Sequence, residues 1–202
     1  QGYSSAASDV YKRQDKVLIE PGVPDDTCEY CRTGRYNICP GVDFMATQPN
    51  YKGALTQYMT HPEEWTYHIP EGMTTMEGAL VEPAAVGMHA AVLGGAQPGK
   101  SIVILGGGTI GLMVLQACIS LGATDITVVD VIEKRLELAK KLGAATVING
   151  KEEDTVAVLR SEEMYGDHGV DLVFEAAGAV FTAQQAVQIV SRGGKIMMVG
   201  TQ

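Results

Sequence analysis

The stretch from Ser101 to Asp130, SIVILGGGTIGLMVLQACISLGATDITVVD, restricts the fold of this chain more than any other. The apolar run Ile102 to Leu105 leads straight into Gly106, Gly107 and Gly108, and Gly111 completes a GxGxxG. A helix-spaced apolar set follows (Ile110, Met113, Val114, Ala117, Leu121), and Gly122 offers a C-terminal stop. A second β-rich run, Ile126 to Val129, ends in Asp130, nineteen residues past Gly111. That spacing is close to the separation of about 20 between the glycines and the ribose-binding acid of a dinucleotide-binding βαβ unit. Ser101 to Thr124 carries no charge and is long enough for a membrane span. The four glycines and the fingerprint spacing argue against that alternative.

Each part has a physical job. Gly106 allows a tight turn, Gly108 lets backbone approach a pyrophosphate, and Gly111 lets helix and strand pack closely. The unpaired N–H groups that open the helix, at the positive end of its dipole, would hold phosphate charge. Asp130 would accept hydrogen bonds from the adenosine ribose and repel the additional phosphate of NADP, so the expected cofactor is NAD. The cofactor-binding positions in this unit are Gly106, Gly108, Ile110, Gly111 and Asp130.

A chain of 202 residues with 46% hydrophobic content allows one or two soluble domains with a sizeable core. Its net charge of −9 disfavours nucleic acid or an anionic membrane surface as partner. No secretory signal pattern is visible, and three of four cysteines cluster at metal-like spacing, which fits a reducing, cytoplasmic setting.

Residues 1–14 lack apolar periodicity, and DVYKRQ (Asp9 to Gln14) resembles translated sequencing-adaptor sequence. They are therefore expected to be a non-native tail, with native sequence from about Asp15. KVLIEPG reads as a short strand ending at Pro21 and Gly22. Cys28, Cys31 and Cys39 then form CxxC plus a third cysteine, and Asp25 precedes Cys28 with the same two-residue gap and an oxygen that zinc accepts. A weaker bound zinc and an empty loop both remain open.

Further on, Ala54 to Thr60 suits a strand, and Glu63 to Pro70 a strand and turn. Trp65 and Tyr67 read as packing, and His61 and His68 as surface or internally satisfied. Glu82 precedes Pro83 in an apolar stretch that becomes a helix; a buried carboxylate there would need a partner or a metal. A helix-start acid using the dipole is the alternative. His89 is expected in the core.

GGAQPGK, Gly94 to Lys100, is the expected boundary between domains spanning 15–95 and 96–202. Past Asp130 the pattern alternates: helix Glu133 to Leu142, strand Thr146 to Ile148, helix Asp154 to Met164, strand Val170 to Phe174, helix Phe181 to Val190, strand Lys195 to Val199. Five strands with crossover helices predict an α/β fold with a doubly wound parallel sheet. EAAG (Glu175 to Gly178) and VG (Val199 and Gly200) end the last two strands, where ligands of such sheets lie.

EPGVP, CEYCRTGRYNIC, FMAT, GALTQY and VEPAAVGMHA together resemble the zinc-dependent medium-chain dehydrogenases, in particular their sorbitol or polyol branch. The resemblance implies a mostly-β GroES-like catalytic lobe, present in part, followed by a Rossmann domain lacking its last strand. It implies a structural zinc at Asp25, Cys28, Cys31 and Cys39, with aspartate where the family has its first cysteine. It implies Glu82 at a catalytic zinc, Phe44 and Thr47 lining the substrate cleft, and cofactor contacts from Arg135, Val199 and Gly200. The implied reaction oxidises a secondary alcohol of a polyol to a ketose by hydride transfer to NAD, in a homo-tetramer. The remaining catalytic ligands are expected upstream of Asp15, so the 202 residues alone are expected to be inactive. The rivals are a threonine or butanediol dehydrogenase on the same scaffold and a non-catalytic NAD-binding module.

Overall fold

A computed structural model describes residues 15–47 and 53–201; the expected non-native tail, 1–14, lies outside the described residues. The chain divides into two units, one ending at Leu80 and the other beginning at Val81. The first is built from short pieces. Strand β1 (Val17–Ile19) ends just before Pro21, which has no N–H to donate. β2 (Gly22–Val23), helix α1 (Glu29–Arg32), β3 (Asp43–Phe44), β4 (Thr66–His68) and helix α2 (Thr75–Ala79) follow. β1 pairs antiparallel with β4, and β2 with β3. α2 starts where it does because Thr74 and Glu77 form a reciprocal capping box. Trp65 packs on Tyr36 with ring centroids 4.9 Å apart.

Ala54 to Thr60 is not a strand, contrary to its weak alternation. Leu55 and Tyr58 lie in solvent, and no ladder forms on this segment. An alternating pattern becomes a strand only when a neighbouring edge takes up its backbone groups.

The second unit begins with α3 (Val81–Gly94), earlier than the Gly94 to Lys100 punctuation suggests. The reason is packing. Gly87 lets α3 lie directly on the backbone of α4 (Thr109–Ser120): a Cβ at Gly87 would sit 2.5 Å from the Met113 carbonyl carbon. The remaining elements alternate: β5 (Ser101–Leu105) before α4, then β6 (Asp125–Asp130), α5 (Glu133–Lys141), β7 (Thr146–Asn149), α6 (Thr155–Leu159), β8 (Val170–Glu175), α7 (Val180–Ile189) and β9 (Val190–Met198). The five strands form one parallel sheet in the order β7-β6-β5-β8-β9.

Alternation along β5 divides the core. Ile102 and Ile104 join Val114, Leu115, Cys118, Ile126, Val128 and Phe174 on one face. Val103 and Leu105 join Leu159, Val173, Ala186 and Ile189 on the other. Both faces are covered, so the central strand β5 is apolar from Ile102 to Leu105. The stretch weighed as a membrane span is thus a central strand and its crossover helix, and no helix among the described residues is long and apolar enough to cross a membrane.

Two predicted boundaries move. Helix α6 stops at Leu159 instead of Met164, because the Arg160 guanidinium turns to the carbonyls of Gly166, Asp167, Gln188 and Val190. β9 starts at Val190 instead of Lys195, since Val190 pairs with Val170 before an irregularity resets the register to Leu172 and Lys195.

Candidate functional site

The sheet order reverses at β5: the chain runs outward through β6 and β7, then returns to build β8 and β9 on the other side. Ligands of open α/β sheets bind outside the carboxyl ends of the strands at such a point. The glycine turn occupies it. Gly106 has φ +107°, and a Cβ there would be 2.8 Å from the Ala177 nitrogen. Gly111 packs against the Gly106 carbonyl with no room for a Cβ. Gly108, by contrast, faces open space, and as N-cap of α4 it brings no side chain to the helix's first N–H groups. Those donors are left for an anion. Ile110, in the first turn, is half-buried against the core.

Asp130 ends β6 with its side chain 4% exposed. One carboxylate oxygen, Oδ1, accepts from the Val131 and Ile132 N–H groups at 2.8 and 2.9 Å. The other, Oδ2, accepts from the Gly107 N–H at 2.7 Å and from Arg135 Nη1 at 3.3 Å. A buried charge held by four donors is fixed in position. Arg135 is half-exposed and supplies the one side-chain donor of the four, so it is the partner best able to yield to a ribose hydroxyl. The two residues singled out from sequence thus lie in contact, and the structure adds that Asp130 also ties down the glycine turn.

On the other side of the reversal, Val199 and Gly200 follow β9, and their N–H groups both donate to the Glu175 carbonyl at 2.8 Å. Gly178 abuts Thr201, and Gly200 abuts Gly178, too closely for any Cβ. The loops after β8 and β9 therefore meet at the crevice.

In the first unit, Asp25, Cys28, Cys31 and Cys39 place one ligand atom each within 4.8 Å of one another. Cys28 and Cys31 sulfurs are 3.4 Å apart, and Cys31 Sγ is 3.6 Å from Asp25 Oδ1. A zinc tetrahedron with thiolate arms of about 2.3 Å has edges of about 3.8 Å, so the set fits the ion. Asp26 at φ +55° folds the loop back so that the Thr27 and Cys28 N–H groups donate to Asp25 Oδ1 at 2.8 and 3.0 Å. Those donors bring the Asp25 carboxyl down to about 2, keeping it a charged oxygen ligand. Without a metal, burial and the neighbouring sulfurs push the Cys31 thiol up to about 12. A cation there would displace that proton. Gly41 leaves room for the Asp25 carboxylate, since a Cβ there would be 2.8 Å from Oδ2.

Other expected site residues are less organised. Glu82 lies in the first turn of α3, where a carboxylate suits the helix dipole, but it is exposed rather than buried. It is not gathered with two further metal ligands among the described residues, and a catalytic zinc takes about three from protein. His89 is likewise exposed, not core, because it falls on the face of α3 away from Ala90 and Ala91. Phe44 and Thr47 come together at the end of β3, where the Thr47 hydroxyl donates to the Phe44 carbonyl at 2.8 Å. Both are exposed. His61 is half-buried with Nε2 enclosed and without a hydrogen-bond partner, and His68 faces Asp15 at 3.9 Å.

Comparison with known proteins gives two matches of family models: an alcohol dehydrogenase GroES-like domain over residues 4–71 and a zinc-binding dehydrogenase domain over residues 109–202. The chain belongs to the zinc-binding dehydrogenases. A zinc-type alcohol dehydrogenase-like protein, YdjJ, of Escherichia coli K12 is 63% identical over 95% of this chain and 54% of its own length. Sorbitol dehydrogenase of Bacillus subtilis is 43% identical over 95% of this chain and 54% of its own length. Among solved structures, an E. coli oxidoreductase/dehydrogenase of unknown specificity superposes with a TM-score of 0.91 at 62% identity, covering 95% of this chain and 55% of that one. A zinc-binding dehydrogenase from Sinorhizobium meliloti, bound to NADP, gives 0.86 at 27% identity, covering 93% and 54%. The chain thus spans about half the length of the curated relatives it matches.

Sequence reasoning passed over Glu175 and Thr182. EAAG drew attention as a strand ending, yet the signal was its first letter: an acid closing the apolar run VDLVF, with a hydroxyl residue seven positions later.

Proposed function

We propose that this chain is the nucleotide-binding part, with a portion of the catalytic lobe, of an NAD-dependent polyol dehydrogenase of the sorbitol or xylitol type. The observation that carries the cofactor reading is Asp130, a buried carboxylate clamped to the glycine turn at the end of β6. In this reading the pyrophosphate sits on the uncapped start of α4 over Gly108, flanked by Gly106, Ile110 and Gly111. The adenosine ribose hydroxyls donate to Asp130, with Arg135 moving aside toward the adenosine, and the nicotinamide half lies toward Val199 and Gly200. Asp130 disfavours a 2′-phosphate by charge. The Sinorhizobium relative carries NADP, so cofactor choice within this scaffold must be set locally.

The polyol reading rests on the likeness to sorbitol dehydrogenase and on the FMAT and VEP segments. Phe44 and Thr47 would meet the polyol, and Glu82 would be the residue this chain contributes at a catalytic zinc, one ligand of the about three such an ion takes. When bound, that zinc supplies Lewis-acid activation of the alcohol oxygen. Asp25, Cys28, Cys31 and Cys39 would hold a second, purely structural zinc. The intact protein would be cytoplasmic and a homo-tetramer.

Calorimetry with NAD and NADP tests the cofactor reading. NAD is expected to bind more tightly, and Asp130→Ala to weaken NAD at least about tenfold while narrowing the gap to NADP. Absence of NAD binding, or a preference unchanged by the substitution, would overturn it.

A further inference from the structure

Glu175 ends β8 with 1% of its surface exposed, and its carboxylate is used unevenly. Oε1 accepts from the Ala177 and Gly178 N–H groups, each at 3.0 Å, and from the Thr182 hydroxyl at 2.7 Å. Oε2 is enclosed and has no hydrogen-bond partner. It lies against Gly200, where a Cβ would approach it to 2.8 Å. The backbone carbonyl of the same residue holds Val199 and Gly200. One residue thus grips the loop after β8 with its side chain and the loop after β9 with its main chain.

Nothing in the core requires an acid here. Burying a carboxylate with one oxygen unpaired costs stability, and an apolar residue would end the strand at lower cost. What the carboxylate supplies is a fixed shape for residues 176–178, whose Ala177 nitrogen abuts Gly106 and whose Gly178 abuts Gly200 and Thr201. β6, which carries Asp130, and β8 flank β5 on opposite sides. If adenosine is held at β6, the loops fixed by Glu175 are on the nicotinamide side.

We propose that Glu175 is a positioning residue for the nicotinamide half of the dinucleotide, acting through the backbone of residues 177–178 and 199–200, with Thr182 as its anchor. This deepens the dinucleotide reading and rests on it. Glu175 itself touches no cofactor atom; it sets the surface on which the nicotinamide end lies.

The test compares binding of NAD, NADH and ADP-ribose to the whole chain by calorimetry. ADP-ribose keeps the adenosine and pyrophosphate but lacks the nicotinamide. Glu175→Ala is expected to weaken NAD and NADH about tenfold and leave ADP-ribose within about twofold, a split that general damage to the fold would not produce. Glu175→Gln keeps an acceptor at Oε1 and is expected to restore most of the affinity. Thr182→Val, which removes one donor, should show the same split in weaker form even if Glu175→Ala fails to fold. Parallel loss of ADP-ribose binding in Glu175→Gln and Thr182→Val, or NAD binding unchanged in Glu175→Ala, would overturn the proposal. A wild-type chain that binds neither NAD nor ADP-ribose would sink the dinucleotide reading itself, and this inference with it.

Discussion

The two units of this chain reach order by different physical means. Val81 onward buries Phe174, Leu115, Ile126 and Ile189 completely between a sheet and helices on both of its faces. In the unit ending at Leu80, the buried side chains among the described residues are Pro24 and Cys39, and its strands have two or three residues each. Order there comes from point contacts: the Thr74 capping box, the Tyr36–Trp65 stack and four potential metal ligands drawn together. Burial scales with area and acts cooperatively, whereas local bonds and a metal clip fix only what they touch. One unit should therefore respond to core substitutions and the other to the ligands of a cation.

The largest expected effect follows from the core. Phe174→Ala should destabilise the second unit by about 3–5 kcal/mol, read as a lowered denaturation midpoint, with hydrogen exchange in the first unit little changed. Equal loss of protection in both units would break the contrast. Zinc should do the reverse. At a free concentration of 100 times its dissociation constant it would stabilise the first unit by about 2.7 kcal/mol, and a chelator should remove that gain without moving the second. Cys39→Ser should abolish most of the response, and a first unit indifferent to zinc would leave the cysteine loop without its proposed role.

The smallest effect is one of pH. Burial pulls the Asp171 carboxyl upward, but the Ser101 N–H, the Lys100 ammonium and the Ser101 hydroxyl outweigh it and hold the group below 3.8, its ordinary value. A depressed carboxyl stabilises the fold above its unfolded value and loses that contribution as pH falls through the folded one. Stability of the second unit should thus decline below about pH 3.8, by roughly 1 kcal/mol or less because the pair is partly solvated. Asp171→Asn should flatten that part of the acid limb; an unchanged profile would show that the interaction contributes nothing.

The same division explains what could be read before the coordinates. Ile102 to Leu105, the three glycines and Asp130 act over short sequence distances, and their strand–turn–helix pattern is repeated by the elements that follow. The second unit's strands are accordingly legible in the sequence in their order of appearance. Errors arose where long-range contacts decided. Arg160 ends α6 by reaching carbonyls as distant in sequence as Val190, and Val190 joins β9 through Val170. Ala54 to Thr60 had the alternation of a strand but no pairing edge. Glu82 looked buried because its neighbours are apolar, yet sequence does not say which side of a helix faces water. The cysteine loop was legible as a spacing, and the structure adds the turn at Asp26 that brings Asp25 to the sulfurs.

Gly87 carries a mechanical consequence. At Gly87 the main chain of α3 lies against that of α4, with no side chain at that point to absorb a displacement. Glu82 lies in the first turn of α3, and the uncapped start of α4, proposed above as the pyrophosphate seat, belongs to the other member. A tilt of α4 as its seat fills would swing the glutamate like the far arm of a balance, while a bulkier residue at 87 would put play in the pivot.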